Sequence, residues 1–75
     1  MPMAANKTFS GERLRTIRDA AGYSREQVAV AIRRSWNAIY QFERGDLTPG
    51  REAQEGLASL LGCRIDDFYE DSDRA

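Results

Sequence analysis

Apolar residues recur along this chain at helical spacing, in blocks set apart by glycine stops or serine caps. Leu14, Ile17 and Ala21 share one stripe of a helix with about 3.6 residues per turn, and Val28, Ala29 and Ile32 share another. Ala38, Ile39 and Phe42 make a third stripe, and Ala53, Leu57, Leu60 and Leu61 a fourth. A last short turn or helix carries Ile65, Phe68 and Tyr69. Start and stop signals frame these stripes. Ser10 caps the first helix with Phe9 and Leu14 in staple positions, and Gly22 stops it. Ser24 and Gln27 form a capping box under a Tyr23–Val28 staple. Ser35 caps a helix from Trp36 to about Arg44, with Gly45 as its stop. After a loop over 46–50, Pro49 or Gly50 begins the fourth helix and Gly62 ends it. The fold class is all-α, and 75 residues allow one domain with a marginal core. Residues 1–8 show no period and read as a flexible arm, 9–69 as the domain, and 70–75 as an acidic tail.

The stretch from Ser24 to Gly45 is the most telling, because it reads as two short helices joined by a two-residue turn. On the second of them, Trp36, Asn37, Tyr40, Gln41 and Arg44 occupy the arc opposite the apolar stripe. Such an arc displays large side chains with donors and acceptors, which suits insertion into a DNA major groove. An ordinary helical hairpin with an inert outer face is the plainer reading. Arg18 falls on the apolar stripe of the first helix, and a buried arginine needs an anion. Glu43, at the edge of the core arc of the third helix, is the best-placed partner.

Charge adds a direction to this picture. The net charge is −1, but residues 1–45 hold eight Lys and Arg against four Asp and Glu, whereas residues 46–75 hold three against eight. Phosphates meet the first part and are repelled by the second. Ten of the eleven basic residues are arginine, the side chain suited to bidentate phosphate and guanine contacts. There is no histidine, one cysteine and no glycine-rich phosphate loop, so catalytic, metal and cofactor sites are not expected. Cys63 reads as a core residue, with a reactive thiol the minor alternative. Without a signal peptide or an apolar run near membrane-span length, the expected location is the cytoplasm.

Residues 13–69, about three quarters of the chain, resemble the Cro and phage-repressor type of helix-turn-helix domain, the xenobiotic response element family. The resemblance is carried by Leu14, Ile17, Arg18 and Gly22, by Ser24, Glu26, Gln27, Val28 and Ala29, and by Ser35, Ile39, Phe42, Glu43, Arg44 and Gly45. It continues through Pro49, Leu57, Ala58, Leu61, Gly62, Ile65, Asp66, Phe68 and Tyr69. It implies a compact five-helix, lambda-repressor-like bundle that reads DNA with its third helix, and it implies the Arg18–Glu43 pair as well. The chain departs from the family pattern at Arg33, where the turn usually has glycine, at Arg51 and Gln54, where the fourth helix is usually apolar, and at Gly56 inside that helix.

Roles follow from position. Trp36, Asn37, Tyr40 and Gln41 are the base-reading candidates, Asn37 and Gln41 each being able to pair with adenine. Trp36 could instead pack against the second helix or a second copy. Ser24, Arg25 and Gln27 are placed to hold a phosphate at a helix N-terminus, with Arg33, Arg34, Ser35, Arg44 and Thr48 as further phosphate contacts and Lys7 on the arm. Leu61, Ile65, Phe68 and Tyr69 are candidates for a homodimer interface, or else complete the monomer's core. The expected function is a bacterial or phage transcriptional regulator, with repression as its mode, double-stranded DNA as partner and two copies on a pseudo-palindromic operator. The alternative is a protein-interaction module, an antitoxin or bridging factor, in which DNA contact is secondary or absent.

Overall fold

The computed structural model describes residues 7–71. A short strand β1 (Lys7–Phe9) leads into helices α1 (Gly11–Ala21), α2 (Arg25–Ile32), α3 (Trp36–Arg44) and α4 (Arg51–Leu61). A 3-10 helix (Ile65–Phe68) and a strand β2 (Tyr69–Asp71) follow. The described residues thus hold four α-helices, not five, and a two-stranded sheet that the all-α expectation lacked. None of these helices is long and apolar enough to cross a membrane.

The sheet corrects both ends of the expected domain division. β1 and β2 run antiparallel with Lys7 opposite Asp71, Thr8 opposite Glu70 and Phe9 opposite Tyr69. Lys7 and Thr8 are therefore strand rather than arm, and Glu70 and Asp71 are strand rather than tail. The remainder of the expected arm, 1–6, and of the tail, 72–75, lies outside the described residues. Three-residue strands are too short to show an alternating pattern, so tertiary contacts decide them. The Phe9 ring lies 5.9 Å from that of Phe68 and 5.8 Å, edge-on, from that of Tyr69, and Ser10 N–H donates to the Phe68 carbonyl at 2.7 Å.

Local chemistry explains where each helix begins. The Ser10 hydroxyl accepts from Arg13 N–H at 3.1 Å, and the Ser35 hydroxyl from Ala38 N–H at 3.0 Å. Ser24 and Gln27 satisfy each other's backbone donors at 2.8 and 3.1 Å, the capping box read from their spacing. α2 ends on Arg33 in the left-handed region, φ 61°, in the place where the family pattern has glycine. That conformation costs a side-chain-bearing residue roughly 1 kcal/mol.

Leu14, Val28, Ile39, Leu57 and Phe68 are fully buried, with Ala29, Phe42, Ala58 and Leu61 closing the same core. Ile17, Leu60, Ile65, Tyr69 and Cys63 pack partly buried against it. Ala21, expected on the stripe of α1, is exposed at the last residue of that helix. Leu61 and Phe68, candidates for an interface between copies, are buried in the monomer's core, the alternative the sequence also allowed. Tyr69 is tied down as well, its hydroxyl donating to Gln54 Oε1 at 3.0 Å. Gln54 in turn donates to the Pro49 carbonyl at 2.8 Å, so both ends of its amide are hydrogen-bonded at a position of α4 where the family pattern is apolar.

Two glycines set how closely helices approach. A Cβ on Gly11 would press on the backbone where α3 ends, 2.5 Å from the Glu43 carbonyl oxygen, so α1 starts directly on the end of α3. A Cβ on Gly56 would meet Ile32 Cγ2 at 3.2 Å, which makes the helix-weakening residue of α4 a packing site for α2.

Candidate nucleic-acid interface

The position of α3 is set by a charge cluster beneath it. Arg18 donates from Nε to Glu43 Oε2 at 2.5 Å and from Nη2 to Oε1 at 3.3 Å. Its third nitrogen donates to the Tyr23 carbonyl at 2.8 Å and lies 3.2 Å from Asp19. The Glu43 side chain is only 2 % exposed, so this pair is buried, and the hydrogen bonds to Glu43 hold the Arg18 pKa above its ordinary value despite the opposing desolvation. A second cation shares the carboxylate: Arg25 Nε donates to Glu43 Oε1 at 2.8 Å. The sequence places Arg25 at a helix N-terminus as a phosphate candidate; unlike Arg18 it falls on no apolar stripe, so nothing in its spacing points to Glu43.

The outer face of α3 carries its own order. The Trp36 and Tyr40 rings are stacked, centroids 5.2 Å apart and 11° from parallel. The Arg25 guanidinium lies 6.0 Å from the Trp36 ring and 5.5 Å from the Tyr40 ring. Arg44 lies 5.7 Å from the Tyr40 ring and donates to its hydroxyl at 3.4 Å. That hydrogen bond and then the charge of Asp46, 3.2 Å away, raise the Arg44 pKa. Trp36 remains 45 % exposed, Asn37 is exposed, and Tyr40 and Gln41 are half-buried. The four base-reading candidates thus share one surface of one helix.

The phosphate candidates divide. Ser24, Gln27, Arg33, Arg34, Ser35, Arg44 and Thr48 are exposed, Ser24 and Ser35 at the N-termini of α2 and α3 where free N–H groups and the helix dipole favour an anion. Ser24, Gln27 and Ser35 already cap their helices. Arg25 is set back, its side chain 29 % exposed. Gly11, which seats α1 on the end of α3, had no place in the sequence reading, although a glycine directly after a serine cap is a weak sign of close approach. Cys63 is half-buried, and burial first, with Asp67 second, pushes its thiol pKa up.

Known proteins share this fold. The restriction-modification controller C.AhdI of Aeromonas hydrophila is 28% identical, superposes with a TM-score of 0.72, and is matched over 77% of this chain and 88% of its own. The P22 c2 repressor, solved in complex with a synthetic operator, is 29% identical with a TM-score of 0.73 over 79% of this chain and 89% of its own. A protein of Aeropyrum pernix named as an HTH-type transcriptional regulator is 36% identical over 58 residues, 77% of this chain. The chain spans only 18% of that relative's length. The family model for the helix-turn-helix domain matches residues 11–68, and this chain belongs to that family.

Proposed function

We propose that this chain is a sequence-specific DNA-binding transcriptional regulator, acting as a repressor in the cytoplasm by setting α3 into the major groove of an operator. The observation that carries the reading is the outer face of α3. Trp36, Asn37, Tyr40 and Gln41 stand together there, on a helix whose other face is held by the core and by buried Glu43. Asn37 and Gln41 supply the paired donor and acceptor that adenine requires, and the two rings supply apolar surface for thymine methyls or sugars. Exposed Ser24, Arg33, Arg34, Ser35, Arg44 and Thr48 are the phosphate contacts that flank them. The likeness to a repressor solved with an operator supports the same use of the fold.

One module reads too few base pairs to be selective in a genome, so the reading includes two copies on a pseudo-palindromic site with half-sites about one helical turn apart. Their contact has to use residues other than Leu61 and Phe68, which the core occupies. Selection of bound sites from a random duplex pool, followed by titration at several salt concentrations, tests the proposal. A symmetric consensus and a steep fall of affinity with salt are expected. Absence of any enriched site, together with stoichiometric capture of a protein partner, would transfer the same surface to the role of an interaction module.

A further inference from the structure

Arg25 occupies the first position of α2, where the helix dipole opposes a cation. The structure supplies a reason for it to be there. Its Nε–H is taken by Glu43, a carboxylate sealed from solvent, while its guanidinium plane lies within 6.0 Å of both stacked rings on the outside of α3. The side chain therefore spans from the buried charge cluster to the exposed surface. We infer that Arg25 is a positioning residue: it anchors the Trp36–Tyr40 stack to Glu43, so that the two rings and the helix beneath them form one rigid reading surface rather than two mobile side chains.

The physical argument rests on ordering. Two aromatic side chains left free at the surface, one exposed and one half-buried, would have to be immobilised when a ligand bound, and fixing them beforehand removes that cost from the binding step. A planar guanidinium can donate to a carboxylate in its plane while presenting its faces to aromatic rings; an ammonium at the same place keeps the charge and loses that geometry. Arg44 is the contrasting case. It also approaches Tyr40, but its side chain is 57% exposed and its ionic partner, Asp46, is exposed too, so it remains free to turn to a phosphate.

The role in recognition rests on the proposed DNA-binding function, whereas the positioning itself is read in the free protein. Trp36 is the sole tryptophan, so its quenching by acrylamide reports the stack directly. Arg25→Ala and Arg25→Lys are both expected to increase that quenching, and Arg51→Ala, on the exposed side of α4, is expected to leave it unchanged. Thermal melts check that the variants are folded; Arg18, which pairs with Glu43 in the wild-type chain, is retained in each. On DNA, both variants are expected to lose roughly tenfold in the ratio of affinities for a selected duplex and an unrelated one, with the unrelated duplex bound nearly as before. Unchanged Trp36 quenching in the folded variants would overturn the positioning role. So would an Arg25→Lys variant that keeps the wild-type ratio while Arg25→Ala weakens both duplexes alike and lowers the salt slope by about 0.9, the signature of a phosphate contact. If the wild-type chain enriches no duplex at all, the DNA reading fails, and the quenching result still decides whether Arg25 holds the stack.

Discussion

The two faces of α3 are ordered by different forces. Its inner face, Ile39, Phe42 and Glu43, is excluded from water and held by packing and by a shared carboxylate. On its outer face Trp36 and Tyr40 are stacked, with the guanidinium groups of Arg25 and Arg44 at cation–π distance from them. Removal of an inner group leaves a void or a stranded charge, which is felt by the whole fold. Removal of an outer group leaves the helix in place and changes what it presents. Stability and the proposed recognition are thus expected to separate along a single nine-residue helix.

The largest effect expected from this division is at Glu43. Glu43→Ala strands two arginines at once and should destabilise the domain by roughly 3–5 kcal/mol, whereas Arg18→Ala should cost less because Arg25 still neutralises the carboxylate. Urea melts of the two variants check the order; equal and small losses would show that the inner face does not depend on the cluster. Gly11→Ala tests the seat of α1 on the end of α3. Its Cβ would meet backbone rather than a flexible side chain, so a loss of about 3 kcal/mol is expected in the same assay.

On the outer face the sign of the comparison reverses. Gln41→Ala should leave the melting curve nearly unchanged and weaken binding to the selected duplex by about 1–3 kcal/mol per half-site, with preference relaxed at one symmetric pair of bases. A drop in melting temperature without a change of preference would place Gln41 with the scaffold. The smallest effect is expected in the turn between α2 and α3. Arg33→Gly relieves the left-handed backbone but loosens the unfolded chain, so stability should rise by less than about 1 kcal/mol while a phosphate contact is lost. Melts and salt titrations of the one variant separate these two contributions.

Much of the helical framework is legible in the amino-acid order. Ser10, Ser24, Ser35, Gly22, Gly45 and Gly62 mark starts and stops through hydrogen bonds to residues three or four positions away, and those are local in the chain. The stripe positions of α2 and α3 were readable for a similar reason, since burial follows the helical period wherever one face meets a core. The strands were not legible. Three residues at each end pair only because α1 and the 3-10 helix bring Phe9 beside Phe68 and Tyr69.

The base-reading candidates were separable from the core by their arc on α3, because periodicity alone decides which side of a helix a residue occupies. Periodicity says nothing of what lies opposite that side. Arg25 sits next to a helix cap in the chain, and its engagement with Glu43 and with two rings arises only when α2 and α3 cross. The same holds for Gly11 against the end of α3, for Gln54 between Pro49 and Tyr69, and for Leu61 and Phe68, whose side chains could equally have faced a second copy. Capping and amphipathic spacing are written within one turn of helix and so belong to the amino-acid order. Shared charges, close helix approaches and the choice between core and interface depend on distances between elements, and those exist only once the chain has folded.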